Sequence, residues 1–388
     1  MLQAIVETSS LALPTNYDLV RFPPSGAVED LSERYFSTFD FHSLFYDIFR
    51  NESSVQLIGP PFLNLGEILQ DARFTFDGQV NVEPGSITME ELDRVSRTVV
   101  ELPGRSSALW NPDRIRVDLP NLSLEATVGA NHSEVFSGMD TLMTMNRDNP
   151  IGTIVDWVQI NVEANAVNAL LLFDNRSVSY SRKDILRALR HVEGLELAVV
   201  VNWPHPYGAL SANLDSDYGQ YSAWEVARWR FLQQANSVII CDVDEIMLSN
   251  DGRPVKSLAE ETDSGVLYMK SRDVPAISKN LISGDHVRRH KDFVYFDESK
   301  IGPRKYCYIP ERLKPQQQLK VHAVSYAHDI DDSLGYVRHF RGLHKAWRHG
   351  LSDYSVPLAA PSANHLVDER LAQLFDSLSS QQATDSGN

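Results

Sequence analysis

Between residues 138 and 245 short, mainly apolar runs alternate with amphipathic segments, and that alternation limits the fold more than any other feature of the chain. Each apolar run is followed by a stretch of polar residues. The apolar runs are Thr141–Met145, Ala169–Phe173, Leu197–Val201 and Ser237–Cys241. Three segments between them carry helical spacing: residues 154–164, with Ile154, Val155, Val158 and Val162 on one face; residues 183–192, capped by Ser181 and ended by Gly194; and residues 221–235. Strands that are apolar on both faces and alternate with helices predict an α/β fold with a mostly parallel, Rossmann-like sheet covered on both sides. Ligands of such sheets bind at the carboxyl ends of the strands.

The residues that follow the four runs are polar. They are Asn146-Arg147-Asp148, Asp174-Asn175-Arg176-Ser177, Asn202-Trp203-Pro204 and Asp242-Val243-Asp244-Glu245. Four polar strand ends on one sheet edge are expected to line a binding site. Asp-Val-Asp leaving a strand turns two carboxylates to the same side, because side chains alternate with a period of two. Close carboxylates repel unless a cation lies between them. Hard oxygen ligands suit Mg²⁺ or Mn²⁺. Asp242 and Asp244 are therefore the expected metal ligands, with Glu245 beside them as a catalytic candidate.

Before residue 136 the pattern is different. Short β-like runs (54–58, 74–76, 115–119 and 124–128) are broken by turn residues, and 90–100 reads as a helix. Residues 1–135 are expected to form a β-rich accessory domain, with an exposed connecting loop near 129–137. Residues 136–350 form the catalytic domain of this division, and 351–388 a C-terminal helix and polar disordered tail.

Composition narrows the function. The 388-residue chain has a formal net charge of -16, which argues against nucleic acid as a partner and against firm docking on anionic lipid, leaving a peripheral membrane contact open. No apolar run is long enough for a membrane span. Two cysteines cannot make a disulfide framework, and no secretory signal is legible at the start. A cytoplasmic location is the expectation, and the oligomeric state is not legible.

Several stretches, in order, resemble the GT-A glycosyltransferases, in particular the family 2-like and family 92-like groups. They are Asn146-Arg147-Asp148-Asn149-Pro150 with Asp156-Trp157, Phe173-Asp174-Asn175-Arg176-Ser177, Trp203 to Gly208, Ala227 to Phe231, and Cys241 to Ile246. The resemblance covers about residues 138–345. It implies a metal-dependent transferase that moves a sugar from a nucleotide-diphosphate donor to a glycan or glycolipid acceptor. It implies that Asp174 contacts the nucleoside, with Asn146, Arg147 and Asn175 nearby, and that Asp242 and Asp244 bridge metal and diphosphate. The second loop departs from the family pattern, with Arg176-Ser177 where Gly-Ser or Asp is usual.

Downstream, residues 305–345 carry local positive charge in an acidic chain, as a phosphate-facing loop requires. Lys305 and Arg338 are candidate diphosphate contacts. Of His322, His328, His339 and His344, His339 and then His322 are the candidate further metal ligands. Asp273, Asp285 and Glu298 are weighed as a base. Two other readings compete. In a haloacid-dehalogenase-type phosphatase, Asp242 would be the nucleophile and Asp331-Asp332 a later acidic motif. The other is a non-catalytic carbohydrate-binding protein that keeps the fold.

Overall fold

A computed structural model describes residues 1–24, 31–102, 111–211, 214–278, 287–327, 333–345, 354, 356–362 and 365–385. Its centre is a ten-stranded mixed sheet among these residues, flanked by helices. The four expected strands are present as Asp140–Asn146, Ala169–Asp174, Leu197–Asn202 and Ser237–Ile240, all parallel to their neighbours in this half. The helices between them are Ile151–Asn165, Arg182–Leu189 and Tyr218–Val226, the last continued by a π-helical turn, Ala227–Phe231. Ser181 caps its helix in a reciprocal box with Asp184, which satisfies two otherwise orphaned donors.

Period-two alternation in these strands builds two cores. Leu142, Leu170, Leu172, Val200 and Ile239 point to one face, under Ile154, Trp157, Ile185 and Leu189. Met143, Leu171, Phe173, Val201 and Ile240 point to the other, against Trp224, Phe231 and residues of the N-terminal region such as Tyr46 and Phe49. The strands read as continuous apolar runs because both of their faces are buried.

The other half of the sheet is mixed. Ser237–Ile240 pairs antiparallel with the long strand Tyr295–Tyr308, which pairs with Val266–Val274; Gly335–Phe340 and then the edge strand Glu245–Ser249 follow. Only residues 241–244 join Ser237–Ile240 to that edge strand. Laid flat, the two would stand four strand spacings apart, about 19 Å, beyond the ~17 Å those few residues could span even fully extended. The sheet must therefore curl back on itself. Register shifts at Lys270/Ser271 and Arg272/Asp273 supply bulges that bend it.

The N-terminal region differs from expectation in three places. The strand Leu2–Glu7 is not part of the accessory β unit: it joins the large sheet, parallel to Leu197–Asn202 from Leu2↔Leu197 to Glu7↔Asn202. Pairing across nearly 200 positions leaves no local mark in the sequence. Second, the expected helix at 90–100 is a hairpin of Ile87–Glu91 and Ser96–Glu101. Third, the expected loop at 129–137 exposes Ala130, Glu134, Val135 and Ser137 as a connecting loop would, but its backbone is tied down at Gly129 and His132. The Gly129 N–H donates to Ile48 O (2.9 Å), the His132 N–H donates to Arg230 O (2.7 Å), and a Cβ on Gly129 would meet the Arg230 guanidinium at 2.6 Å. Residues 11–127 otherwise contribute small antiparallel sheets around a core of their own that includes Leu44, Phe45, Leu57, Phe74 and Val117. At the C-terminus the expected helix is present as Glu369–Asp385.

Buried neutral histidines make one prediction about this fold. Burial, the largest cause, pushes His205 down to about 3 and His290 down to about 4. Between those values and about 6.5 the unfolded chain binds protons that the folded chain refuses, so each contribution is lost as pH falls below about 6.5. Denaturant unfolding of His205→Gln is expected to show a shallower loss of stability from pH 6.5 to 5 than the parent protein. An unchanged slope would contradict this account of His205.

Candidate active site

The carboxyl ends of the parallel strands align in register: Glu7, Asn202, Asp174 and Asn146 stand side by side. Met143 pairs with Ile240, so Asn146 lies level with the Asp-Val-Asp turn that follows Ser237–Ile240. The turn is closed by the Glu245 N–H donating to Asp242 O (2.9 Å). It is buttressed from behind, where Trp157 Nε1 donates to Glu245 O (2.8 Å) and His290 Nε2 meets Val243 O (2.9 Å).

The two aspartates of the turn have different partners. Asp242 Oδ2 accepts from Lys305 Nζ at 2.7 Å, and the same ammonium lies 2.9 Å from Glu245 Oε2. Glu245 Oε2 also accepts from the Asp242 N–H (2.9 Å). Lys305 is buried, which disfavours its charge, but Asp242 and Glu245 outweigh that and hold its pKa above the usual lysine value. Burial raises Glu245, partly offset by Lys305. Glu245 thus lies beneath the turn as a brace, and Lys305 is a counter-ion to this acidic pair.

Asp244 faces two histidines. His344 Nδ1 lies 3.2 Å and His339 Nε2 3.5 Å from Asp244 Oδ2. One ligand atom from each of the three residues falls within 4.8 Å of the others. Two ligands each about 2.1 Å from one ion lie about 3.0–3.5 Å apart at right or tetrahedral angles, so these spacings fit a common divalent cation. The burial of Asp244 opposes its charge, yet hydrogen bonds and charge from His339 and His344 keep its pKa well below the usual carboxylate range. His339 is pushed up to about 9: burial opposes its protonation, but Asp244 overcomes it.

The loops that follow the first three parallel strands hold a second network. Asn146 Nδ2 donates to Tyr180 Oη (3.1 Å), to Ser177 Oγ (3.3 Å) and to Asp174 Oδ1 (3.4 Å). Arg182 lies 3.4 Å from Asp174 Oδ2. Asn175 Nδ2 donates to the carbonyls of Trp203 and His205. Asn146, Asp174 and Asn175 are buried and form the floor of this region, whereas Arg147 is half-buried and Arg176 exposed. Arg176 adopts a left-handed backbone (φ 63°), costly for a residue with a Cβ, and its Nε donates to Pro204 O (2.9 Å).

Two expected residues are not brought to the cluster. Arg338 is buried against Asp368, Nε to Oδ2 2.6 Å, beneath the C-terminal helix. It precedes His339 on a strand, and alternation sends neighbours to opposite faces. His322 Nδ1 lies 3.0 Å from Arg304 O, outside the Asp244 group. His328, Asp285 and the Asp331-Asp332 pair lie outside the described residues, as does the side chain of Glu298. His290 behind the turn is a residue the sequence did not single out; its signal is only a histidine ahead of a strand.

No known family profile matches the sequence, and no curated protein does. Among solved structures the chain is similar to the ligand-free structure of the bifunctional glycosyltransferase WbbM, at 12% identity and a TM-score of 0.25. The similarity covers 39% of this chain and 27% of that one. Among the described residues no helix is long and apolar enough to cross a membrane.

Proposed function

We propose that the chain is a glycosyltransferase of the GT-A type that depends on a divalent cation and transfers a sugar from a nucleotide-diphosphate donor to a glycan or glycolipid acceptor. The observation that carries this reading is the grouping of Asp244, His339 and His344 at the end of the Ser237–Ile240 strand, level with the polar ends of its parallel neighbours. This reading departs from the expected ligand set of Asp242, Asp244, His339 and His322: it keeps Asp244 and His339, takes His344 in place of His322, and leaves Asp242 to Lys305. A set with two imidazoles suits Mn²⁺ better than the harder Mg²⁺. When bound, the cation would neutralise charge on the departing diphosphate. Lys305 fixes Asp242, and Trp157 and His290 hold the backbone on either side of Asp244. Asn146 and Asp174 shape the floor beside the turn, and the half-buried Arg147, one residue beyond Asn146, would meet the donor. The phosphatase reading needs Asp242 and Asp244 to share one ion, whereas here they face different partners.

His339→Ala is expected to weaken Mn²⁺ binding and to lower activity at limiting Mn²⁺, with partial recovery in excess metal. Nucleotide-sugar turnover measured across a Mn²⁺ series checks it; an unshifted metal dependence would remove His339 from the ligand set.

A further inference from the structure

We propose that Asp273 is a positioning residue for the candidate metal site, one that selects which nitrogen of His339 faces Asp244. This inference rests on the reading of Asp244, His339 and His344 as ligands. An imidazole that ligates through one nitrogen carries its proton on the other, and a carboxylate or carbonyl there fixes the tautomer and the ring plane. In His339 the nitrogen turned toward Asp244 is Nε2. The other, Nδ1, lies 3.6 Å from Asp273 Oδ1, a few tenths of an ångström beyond a formed hydrogen bond.

The backbone makes this juxtaposition specific. Asp273 and His339 are register partners in the parallel ladder between Val266–Val274 and Gly335–Phe340. A register shift against the opposite strand falls between Arg272 and Asp273, and bulges re-aim the side chains they carry. The two peptide groups after His339 are pinned as well. The Phe340 N–H donates to the carbonyl of Asp244 (2.7 Å), and the Arg341 N–H donates to that of Val274 (2.9 Å). The three segments carrying Asp244, Asp273 and His339 are thus locked to one another by main-chain bonds.

Asp273 is itself oriented. Arg341 Nε lies 3.5 Å from its other oxygen, Oδ2, so one carboxylate stands between a guanidinium and an imidazole. Both Asp273 and His339 are largely withdrawn from solvent, at 17% and 14% side-chain exposure, which limits screening of the contact. The resulting order is Arg341, Asp273, His339, then the space shared with Asp244 and His344. An asparagine at 273 could offer the Nδ1 proton only a neutral oxygen. It could equally turn its amide N–H toward the ring, which favours the tautomer with the proton on Nε2 and removes the lone pair a metal needs.

The test is Mn²⁺ binding, read by electron paramagnetic resonance or calorimetry, on the full chain with no substrate present. Asp273→Asn is expected to raise the Mn²⁺ dissociation constant about 10–100-fold, the usual range for loss of such a partner. Asp273→Glu is expected to recover part of that loss, and Arg341→Ala to show a smaller loss in the same direction. The two milder variants keep the test informative should Asp273→Asn lower the melting temperature. Asp273→Asn and Arg341→Ala both binding Mn²⁺ as tightly as the parent would overturn the role of Asp273 while leaving the three ligands in place. A parent protein that takes up no Mn²⁺ would overturn the ligand set, and this inference with it.

Discussion

Replacing Asp244 by asparagine is expected to abolish Mn²⁺ binding and to reduce sugar transfer by at least about 10²–10³-fold, while the protein stays folded. The size follows from what is lost. Preorganised charge at a site where negative charge develops is typically worth that much for a single group, and a ligand that brings a cation to a diphosphate supplies several kcal/mol of such stabilisation. Asp244 is the carboxylate that both histidines face, so asparagine removes the anionic member of the set. The main chain should be undisturbed, because the bonds that fix the turn run through the carbonyls of Asp242, Val243 and Asp244 and through the Glu245 side chain. Calorimetric Mn²⁺ titration beside circular dichroism checks both halves. Undiminished Mn²⁺ affinity in the variant would remove Asp244 from the site. Asp242→Asn should lower activity too, by a different route: it weakens the hold of Lys305 on the turn.

The second large effect lies away from the site. Asp47→Ala or Arg230→Ala is expected to cost about 3–5 kcal/mol of stability, the usual result of leaving one member of a buried ion pair alone. Arg230 Nη1 lies 2.7 Å from Asp47 Oδ2, with side-chain exposures of 3% and 0%. The guanidinium also donates to the carbonyls of Ala130 (3.0 Å) and Glu7 (3.2 Å). One side chain on the π-helical turn thus joins the small β unit, the connecting segment and the first strand of the large sheet. Burial raises the Asp47 pKa although Arg230 opposes it, so the pair is held at a desolvation cost and neither member is tolerated alone. Equilibrium unfolding in urea measures the loss; a change below about 1 kcal/mol, the scale of an exposed pair, would contradict the account. The double variant Asp47→Leu/Arg230→Met is expected to recover much of the stability, since an apolar pair of similar volume can replace a buried ionic one.

What the sequence disclosed and what it hid have physical causes. The parallel strands were legible because burial on both faces demands unbroken apolar runs such as Leu170-Leu171-Leu172, and the polar strand ends followed from them. The hairpin at 87–101 was hidden. Leu92, Val95 and Val99 recur at helical spacing, and the turn between the strands is Asp93-Arg94, with Arg94 left-handed at φ 60°. The usual Asn-Gly or Asp-Gly signal is missing, and the turn is held instead by the Leu92 N–H donating to Val95 O (2.9 Å). The acidic turn was legible as a motif, but its division was not, because Lys305 reaches Asp242 and Glu245 only through the pairing of Tyr295–Tyr308 with Ser237–Ile240. Arg338 and His339 are neighbours on the strand Gly335–Phe340, so alternation sends them to opposite faces and one site cannot hold both. His344 lies beyond the end of Gly335–Phe340, where strand periodicity no longer indicates direction, so its approach to Asp244 needed the three-dimensional structure.

Release of nucleoside diphosphate from a panel of nucleotide sugars, with Mn²⁺ and then with excess chelator, for the parent protein and for Asp244→Asn, decides the proposed metal-dependent transfer. Mn²⁺-dependent release from at least one donor is expected, lost in chelator and lost in the variant. Release that persists in excess chelator, or that Asp244→Asn leaves intact, would contradict it.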